Sequence, residues 1–188
     1  MRIIVGITGA SGSVFGVRAL QFLKDAGVET HLILSKWGVR TLLHETPYTV
    51  EYVKSLAAFV HSESDQGAPV SSGSFVTDGM IVAPCSARTL AAIAHGHGDN
   101  LIHRAADVIL KERRKLVLMV RETPLSDIHL ENMLKLSRMG VVITPPVPAF
   151  YTNPETLDDV VNHIVQRGLD ALGIHLDVTE RWVGKMGN

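Results

Sequence analysis

RIIVGITGASGSVFG, residues Arg2 to Gly16, begins as an apolar run and closes in glycines and hydroxyls before turning helical. Ile3, Ile4, Val5 and Ile7 follow one another without alternation, the pattern of a parallel strand buried on both faces. Such a strand requires helices above and below it. Gly6, Gly9 and Gly12 then recur at intervals of three, with Ser11 and Ser13 at the expected helix start. A strand–glycine turn–helix of this kind can bring backbone amides to an anion at the positive end of the helix, so it reads as a phosphate cradle. It is not a dinucleotide fingerprint: the spacing differs from G-x-G-x-x-G, and the next strand ends at Ser35-Lys36 instead of at an acidic residue. The P-loop pattern is missing too. A mononucleotide phosphate, a simple phosphate ester and a tight turn with no ligand all remain open.

The rest of the chain fits one globular domain. Its 188 residues are 46% hydrophobic and 20% charged, with a net charge of -1, which gives no basic face for nucleic acid. One cysteine, Cys85, cannot form an internal disulfide and points to a reducing compartment. The first strand begins at the N-terminus and no apolar run approaches the ~20 residues of a membrane span, so neither a signal peptide nor a membrane segment is expected, and the chain reads as cytoplasmic. His95 and His97 lack a third ligand nearby, and H-E-x-x-H and C-x-x-C are absent, so no metal site is expected. Cys85, after a buried strand, reads as inert packing.

Onward from the first turn, Val14 to Ala26 has helical spacing closed by Gly27, and Thr30 to Leu34 is a second strand. Trp37 to His44 forms a short helix, with Glu45 a solvated turn residue before Pro47. Val50 to Phe59 reads as another helix and His61 to Gln66 as loop. PVSSGSFVTD, residues 69–78, is either a mobile loop or a surface meeting ligand or partner chain. Met80 to Ala83 is a third strand that stops at Pro84, and Ser86 with Thr89 then starts a helix at a second hydroxyl-bearing turn. In a doubly wound sheet both turns would lie at the carboxyl edge, where ligands bind. Asp99 to Arg113 is a helix whose Arg104 and Lys111 share one face. Leu116 to Val120 and Val141 to Thr144 make the fourth and fifth strands, separated by a helix from Asp127 to Met139. Arg121 and Glu122 follow the fourth strand, and the proline-stiffened run ending in Phe150-Tyr151 follows the fifth. The last helix, Thr156 to Leu172, carries Arg167 and buries Leu157, Val160, Val161, Ile164 and Val165; Trp182 lies exposed in the tail. The alternation predicts a single-domain, three-layer, doubly wound α/β fold with a parallel sheet, Rossmann-like or flavodoxin-like.

Six strings in fixed order carry a more specific signal: GITGASG at 6–12, SSGSF at 71–75, PCSARTLA at 84–91, RAADVILKERR at 104–114, RETPLS at 121–126 and PPVPAFY at 145–151. Over nearly its whole length the chain resembles the UbiX-like flavin prenyltransferases, including the subunits that accompany phenolic-acid decarboxylases. The resemblance implies a homododecamer built from trimers; the exposed Trp182 near a polar terminus independently suggests that the tail, residues 175–188, contacts a neighbouring subunit. It also implies transfer of a dimethylallyl group from dimethylallyl phosphate to reduced FMN at N5 and C6, making a prenylated FMN for a separate UbiD-type decarboxylase. By the same resemblance, FMN is bound by Gly9, Ala10, Ser11, Ser35, Ser86, Ala87, Arg88, Thr89 and Arg121. Tyr151, Arg167 and Trp182 meet the prenyl phosphate with Arg104, Lys111 and Glu122, while Glu45 and Ser11 handle protons near the ring. Competing readings are a cysteine-type decarboxylase on the same scaffold and an FMN-binding decarboxylase subunit or carrier with no prenyl transfer of its own.

Overall fold

The structure is a computed structural model that describes residues 1–184. One parallel sheet of six strands runs through the molecule: β1 (Arg2–Ile7), β2 (Glu29–Leu34), β3 (Phe59–Ser62), β4 (Gly79–Cys85), β5 (Lys115–Val120) and β6 (Val142–Ile143), in the order β3-β2-β1-β4-β5-β6. The helices are α1 (Ser13–Asp25), α2 (Lys36–Glu45), α3 (Val50–Ser55), α4 (Ala87–His95), α5 (Leu101–Lys111), α6 (Asp127–Arg138) and α7 (Leu157–Leu172), with a short 3-10 turn at Pro69–Ser71.

The two-sided burial expected of the first strand divides the core in two. Ile3, Val5 and Ile7 pack with Leu20 of α1 and Val165 of α7 on one face. Ile4, Met80 and Val82 pack with Leu90 of α4, Ile102 of α5 and Leu136 of α6 on the other. Gly16 lets α1 lie against the strands, since a Cβ there would stand 2.3 Å from the Ala83 carbonyl oxygen. The strand order reverses between β1 and β4, so a crevice opens above their carboxyl ends.

The expected class and layering are found, with three corrections. There are six strands among the described residues, not five, because α3 stops at Ser55 and the chain re-enters the sheet at Phe59 as the edge strand β3. Phe59 and Val60 are half exposed there, so no period-2 burial pattern marks the strand in sequence. Second, β4 continues past Pro84 to Cys85, with a register shift against β5 between Val82 and Cys85. Third, Leu157 is 78% exposed, whereas Val161, Ile164 and Val165 are buried as expected.

Candidate active site

Thr8, just past β1, joins the two turns at the reversal point. Its hydroxyl donates to the Pro84 carbonyl at 2.7 Å and accepts from the Ser86 amide at 3.0 Å, and the residue is buried. The start of α4 is thereby fixed relative to the end of β1. Ser86 caps α4 by accepting from the Thr89 amide, and Ser35 caps α2 by accepting from the Gly38 amide. Each cap satisfies one amide and leaves the others of the first turn facing outward, where the helix dipole favours an anion.

These two helix starts border a cleft of about 550 Å³, within the roughly 300–1,000 Å³ common for small-molecule sites. Gly9, Ser35 and Trp37 form one wall, and Ser86, Arg88 and Thr89 another. Gly9 is needed for this closeness: a Cβ on it would come 2.4 Å from the Trp37 Cβ. The far rim holds Glu63 and Ser64 beyond β3, with Asp99, Asn100 and His103 at the start of α5. Arg88 and Asp99 approach to 3.6 Å across it. Glu63 and Asp99 make that rim acidic, so an anion is best accommodated between Ser35 and Ser86.

The glycine turn before α1 does not match the expected phosphate cradle. The amino end of α1 is filled from within the chain: Glu45, last residue of α2, accepts from the Gly12 amide at 2.7 Å and the Ser13 amide at 3.4 Å. Gly12, at the cap position, has no side chain to do this itself. Burial raises the Glu45 pKa, but hydrogen bonds from Ser11, Gly12 and Ser13 outweigh it and leave the carboxyl below its ordinary value. Glu45 is exposed to solvent as expected, but it ends α2 and serves as a long-range cap of α1 instead of being a turn residue with no partner.

A second cavity, about 370 Å³, is built between α7, Tyr151 and the tail. Tyr151 Oη lies 2.9 Å from His163 Nε2, and the Trp182 ring meets the Tyr151 ring edge-on at 5.7 Å. Arg167 and Arg181 also line it. The tail is tied to α7 at two points: Gln166 Oε1 accepts the Val178 and Thr179 amides, and Asp170 receives Arg181 in a two-pronged pair at 2.9 and 3.0 Å. Burial works against the charge on Asp170, yet hydrogen bonds from Arg181 and His175 lower its pKa to about 2.

A family model described as Flavoprotein matches residues 1–169. Over 184 residues the chain is 59% identical to a probable UbiX-like flavin prenyltransferase of Bacillus subtilis (strain 168), covering 98% of this chain and 90% of that one. The chain belongs to the UbiX-like flavin prenyltransferases. Among solved structures, one similar fold is the dodecameric FMN-dependent UbiX-like decarboxylase of Escherichia coli O157:H7, at 58% identity and TM-score 0.96, covering 98% of this chain and all of that one. Another is AnUbiX (PadA1) in complex with FMN and dimethylallyl pyrophosphate, at 52% identity and TM-score 0.97, covering 98% of each.

In this UbiX-like chain the residues singled out in sequence fall into five groups. Gly9, Ser35, Ser86, Arg88 and Thr89 line the large cleft, with Ala87 in the first turn of α4. Ser11 and Glu45 meet at the neighbouring α1 start, beside Ala10. Arg121 is tied to this edge by its amide, which donates to the Cys85 carbonyl at 3.0 Å, and Glu122 follows with its carboxylate on the Thr123 amide. Tyr151, Arg167 and Trp182 line the second cavity. Arg104 and Lys111 stand apart from both. Arg104 donates to the Ser71 carbonyl and pairs with Asp107, and Lys111 pairs with Glu112 at the end of α5 that leads into the start of β5. The cleft residues missed in sequence are Thr8, Lys36, Trp37, Glu63, Ser64, Asp99, Asn100, Ile102 and His103. Glu63 and Ser64 could be placed only once β3 was known to be a strand. Cys85 is fully buried, which pushes its thiol pKa far up, as inert packing requires. Among the described residues no helix is long and apolar enough to cross a membrane.

Proposed function

We propose that this chain joins the dimethylallyl group of dimethylallyl phosphate to reduced FMN at N5 and C6, releasing phosphate and yielding prenylated FMN for a UbiD-type decarboxylase. The observation that carries it is the near-complete match to AnUbiX (PadA1), whose structure holds FMN together with a dimethylallyl donor. The residues present fit FMN. The large cleft has cofactor dimensions, two capped helix starts turn unpaired amides into it, and the absent Cβ of Gly9 lets backbone approach. Gly9, Ala10, Ser11, Ser35, Ser86, Ala87, Arg88, Thr89 and Arg121 would hold it, the phosphate lying at the starts of α2 and α4. When bound, reduced FMN supplies the electron-rich ring atoms that accept the prenyl carbon.

The chain's own task is to ease the departure of phosphate. Breaking the allylic C–O bond sends the electron pair to phosphate and leaves positive charge on carbon, so the site needs fixed cations at one end and aromatic faces at the other. Arg104, Lys111, Arg121 and Arg167 supply the first without a metal ion, and Tyr151 and Trp182 the second. Glu122 passes a proton to the leaving phosphate, while Ser11 and Glu45 hold and move a proton beside the ring.

Arg104 and Lys111 reach a cleft only across a subunit boundary, which is the reason for a homo-oligomer, a dodecamer by likeness to the Escherichia coli structure. The tail from residue 175, whose residues 185–188 lie outside the described residues, would contact a neighbouring subunit: Val183 is 81% exposed after packing on its own chain. The lone buried cysteine supports a cytoplasmic setting. Incubating the protein with FMN, a reductant and dimethylallyl phosphate is expected to yield a flavin heavier by one prenyl unit in mass spectrometry. An unchanged flavin mass would leave the carrier or decarboxylase-subunit reading instead.

A further inference from the structure

Tyr151 has one hydrogen to give, and its direction depends on the group behind it. That group is His163, one helical turn before Arg167 on α7, 8% exposed, with Nε2 at 2.9 Å from Tyr151 Oη and the two rings edge to face at 86°. If the imidazole accepts the phenol hydrogen, Tyr151 turns only lone pairs toward the cavity and repels an anion. If it donates, the phenol hydrogen is free to point outward. Of the other groups lining the cavity, Gln166 Oε1 takes the Val178 and Thr179 amides, Arg167 and Arg181 pair with Asp170, and Glu180 adds a carboxylate. Burial, helped by the Arg167 charge, lowers the His163 pKa, so a neutral ring with one N–H is the working form.

We propose that His163 is a positioning residue for the leaving phosphate: Nε2–H donates to Tyr151 Oη, and the phenol in turn donates its hydrogen to a phosphate oxygen in the cavity shared with Arg167 and Trp182. This rests on the prenyl-transfer reading above. It assigns a role to a residue that the sequence strings did not single out, and the chain His163 to Tyr151 to phosphate places two donors in series at the point where negative charge builds.

The test is calorimetric binding of dimethylallyl phosphate to the oligomer loaded with oxidised FMN, in which no transfer occurs. His163→Phe keeps the ring and removes the nitrogens, and is expected to weaken binding about tenfold, as loss of a hydrogen bond serving an anion does. His163→Gln, whose amide N–H reaches the place of Nε2, should restore most of it. In a Tyr151→Phe background, His163→Phe should add nothing. FMN affinity and melting temperature should stay near wild type throughout. Unweakened binding by His163→Phe, an equal weakening in the Tyr151→Phe background, or failure of the Gln variant to restore binding would each overturn the assignment. A wild-type protein that makes the heavier flavin while His163→Phe binds the donor equally well removes only His163. One that neither binds the donor nor changes the flavin removes the prenyl-transfer reading and this role with it.

Discussion

Glu45 and Thr8 each join parts of the chain far apart in sequence, and each can be tested by removing one atom group. Glu45 caps α1 across 33 residues. Because its pKa is lowered on folding, its contribution is fully present above the ordinary carboxylate pKa of about 4.3 and is lost as pH falls through the lower folded value. Glu45→Gln should therefore cost about 0.5–1 kcal/mol at pH 7, the modest size expected for a solvent-screened cap, and the gap to wild type should close below the carboxylate range in urea melts across pH. Thr8→Val tests the link between the two turns. It leaves the half-buried Ser86 amide without its acceptor, so unfolding should become easier by about 1–3 kcal/mol, with Thr8→Ser close to wild type. FMN affinity, followed by flavin fluorescence, should fall with Thr8→Val, because the start of α4 is no longer pinned to β1. Retained affinity would separate the Thr8 link from the cofactor cleft.

For whole elements, the decisive contact is the first turn of α2 against the chain leaving β1. Gly9→Ala would put a methyl 2.4 Å from the Trp37 Cβ and 3.2 Å from its backbone carbonyl carbon. Backbone cannot swing aside as a side-chain tip can, so α2 must move. The expected cost is about 1–3 kcal/mol in stability and a marked loss of FMN affinity. Gly98→Ala, where an added Cβ meets nothing within 4 Å, is the matched control and should change neither. The glycines of this turn stand out in sequence, but the Trp37 that makes Gly9 necessary comes from another element. The same limit explains what sequence reading recovered and what it missed. β1, β2, β4 and β5 announced themselves because both faces are buried and their apolar runs are unbroken. β3 did not, since an edge strand of four residues with Phe59 and Val60 half exposed has neither a run nor an alternation, and the rim residues Glu63 and Ser64 were lost with it. Glu45 looked like a turn residue because its partners lie on α1. Ser86 was readable as a cap because a cap acts within its own helix, whereas Ser35, the cap of α2, was marked only by the family resemblance.

At the scale of the whole molecule, the distribution of charge argues that one chain is not a complete catalyst. Arg121 and Arg167 lie on segments that border the two cavities, whereas neither Arg104 nor Lys111 lines them: Arg104, near the start of α5 and one residue past the cleft-lining His103, is turned onto Ser71, and Lys111 ends that helix beside Glu112. Arg104 is held in place by Ser71 and Asp107 and lines neither of those two cavities of its own chain. In a closed ring of identical subunits, each would give its Arg104 to a neighbour and receive another in return. If so, Arg104→Ala and Arg121→Ala should each abolish prenyl transfer alone, yet regain it together when the two variants are co-expressed. In a randomly mixed oligomer, a site draws an intact Arg104 from one variant and an intact Arg121 from the other about one time in four, so roughly a quarter of wild-type activity should return. Mixing the purified homo-oligomers without subunit exchange should restore none. Were both arginines needed from the same chain, every mixed site would lack one of them and co-expression would stay inactive, which would place Arg104 outside the transfer site.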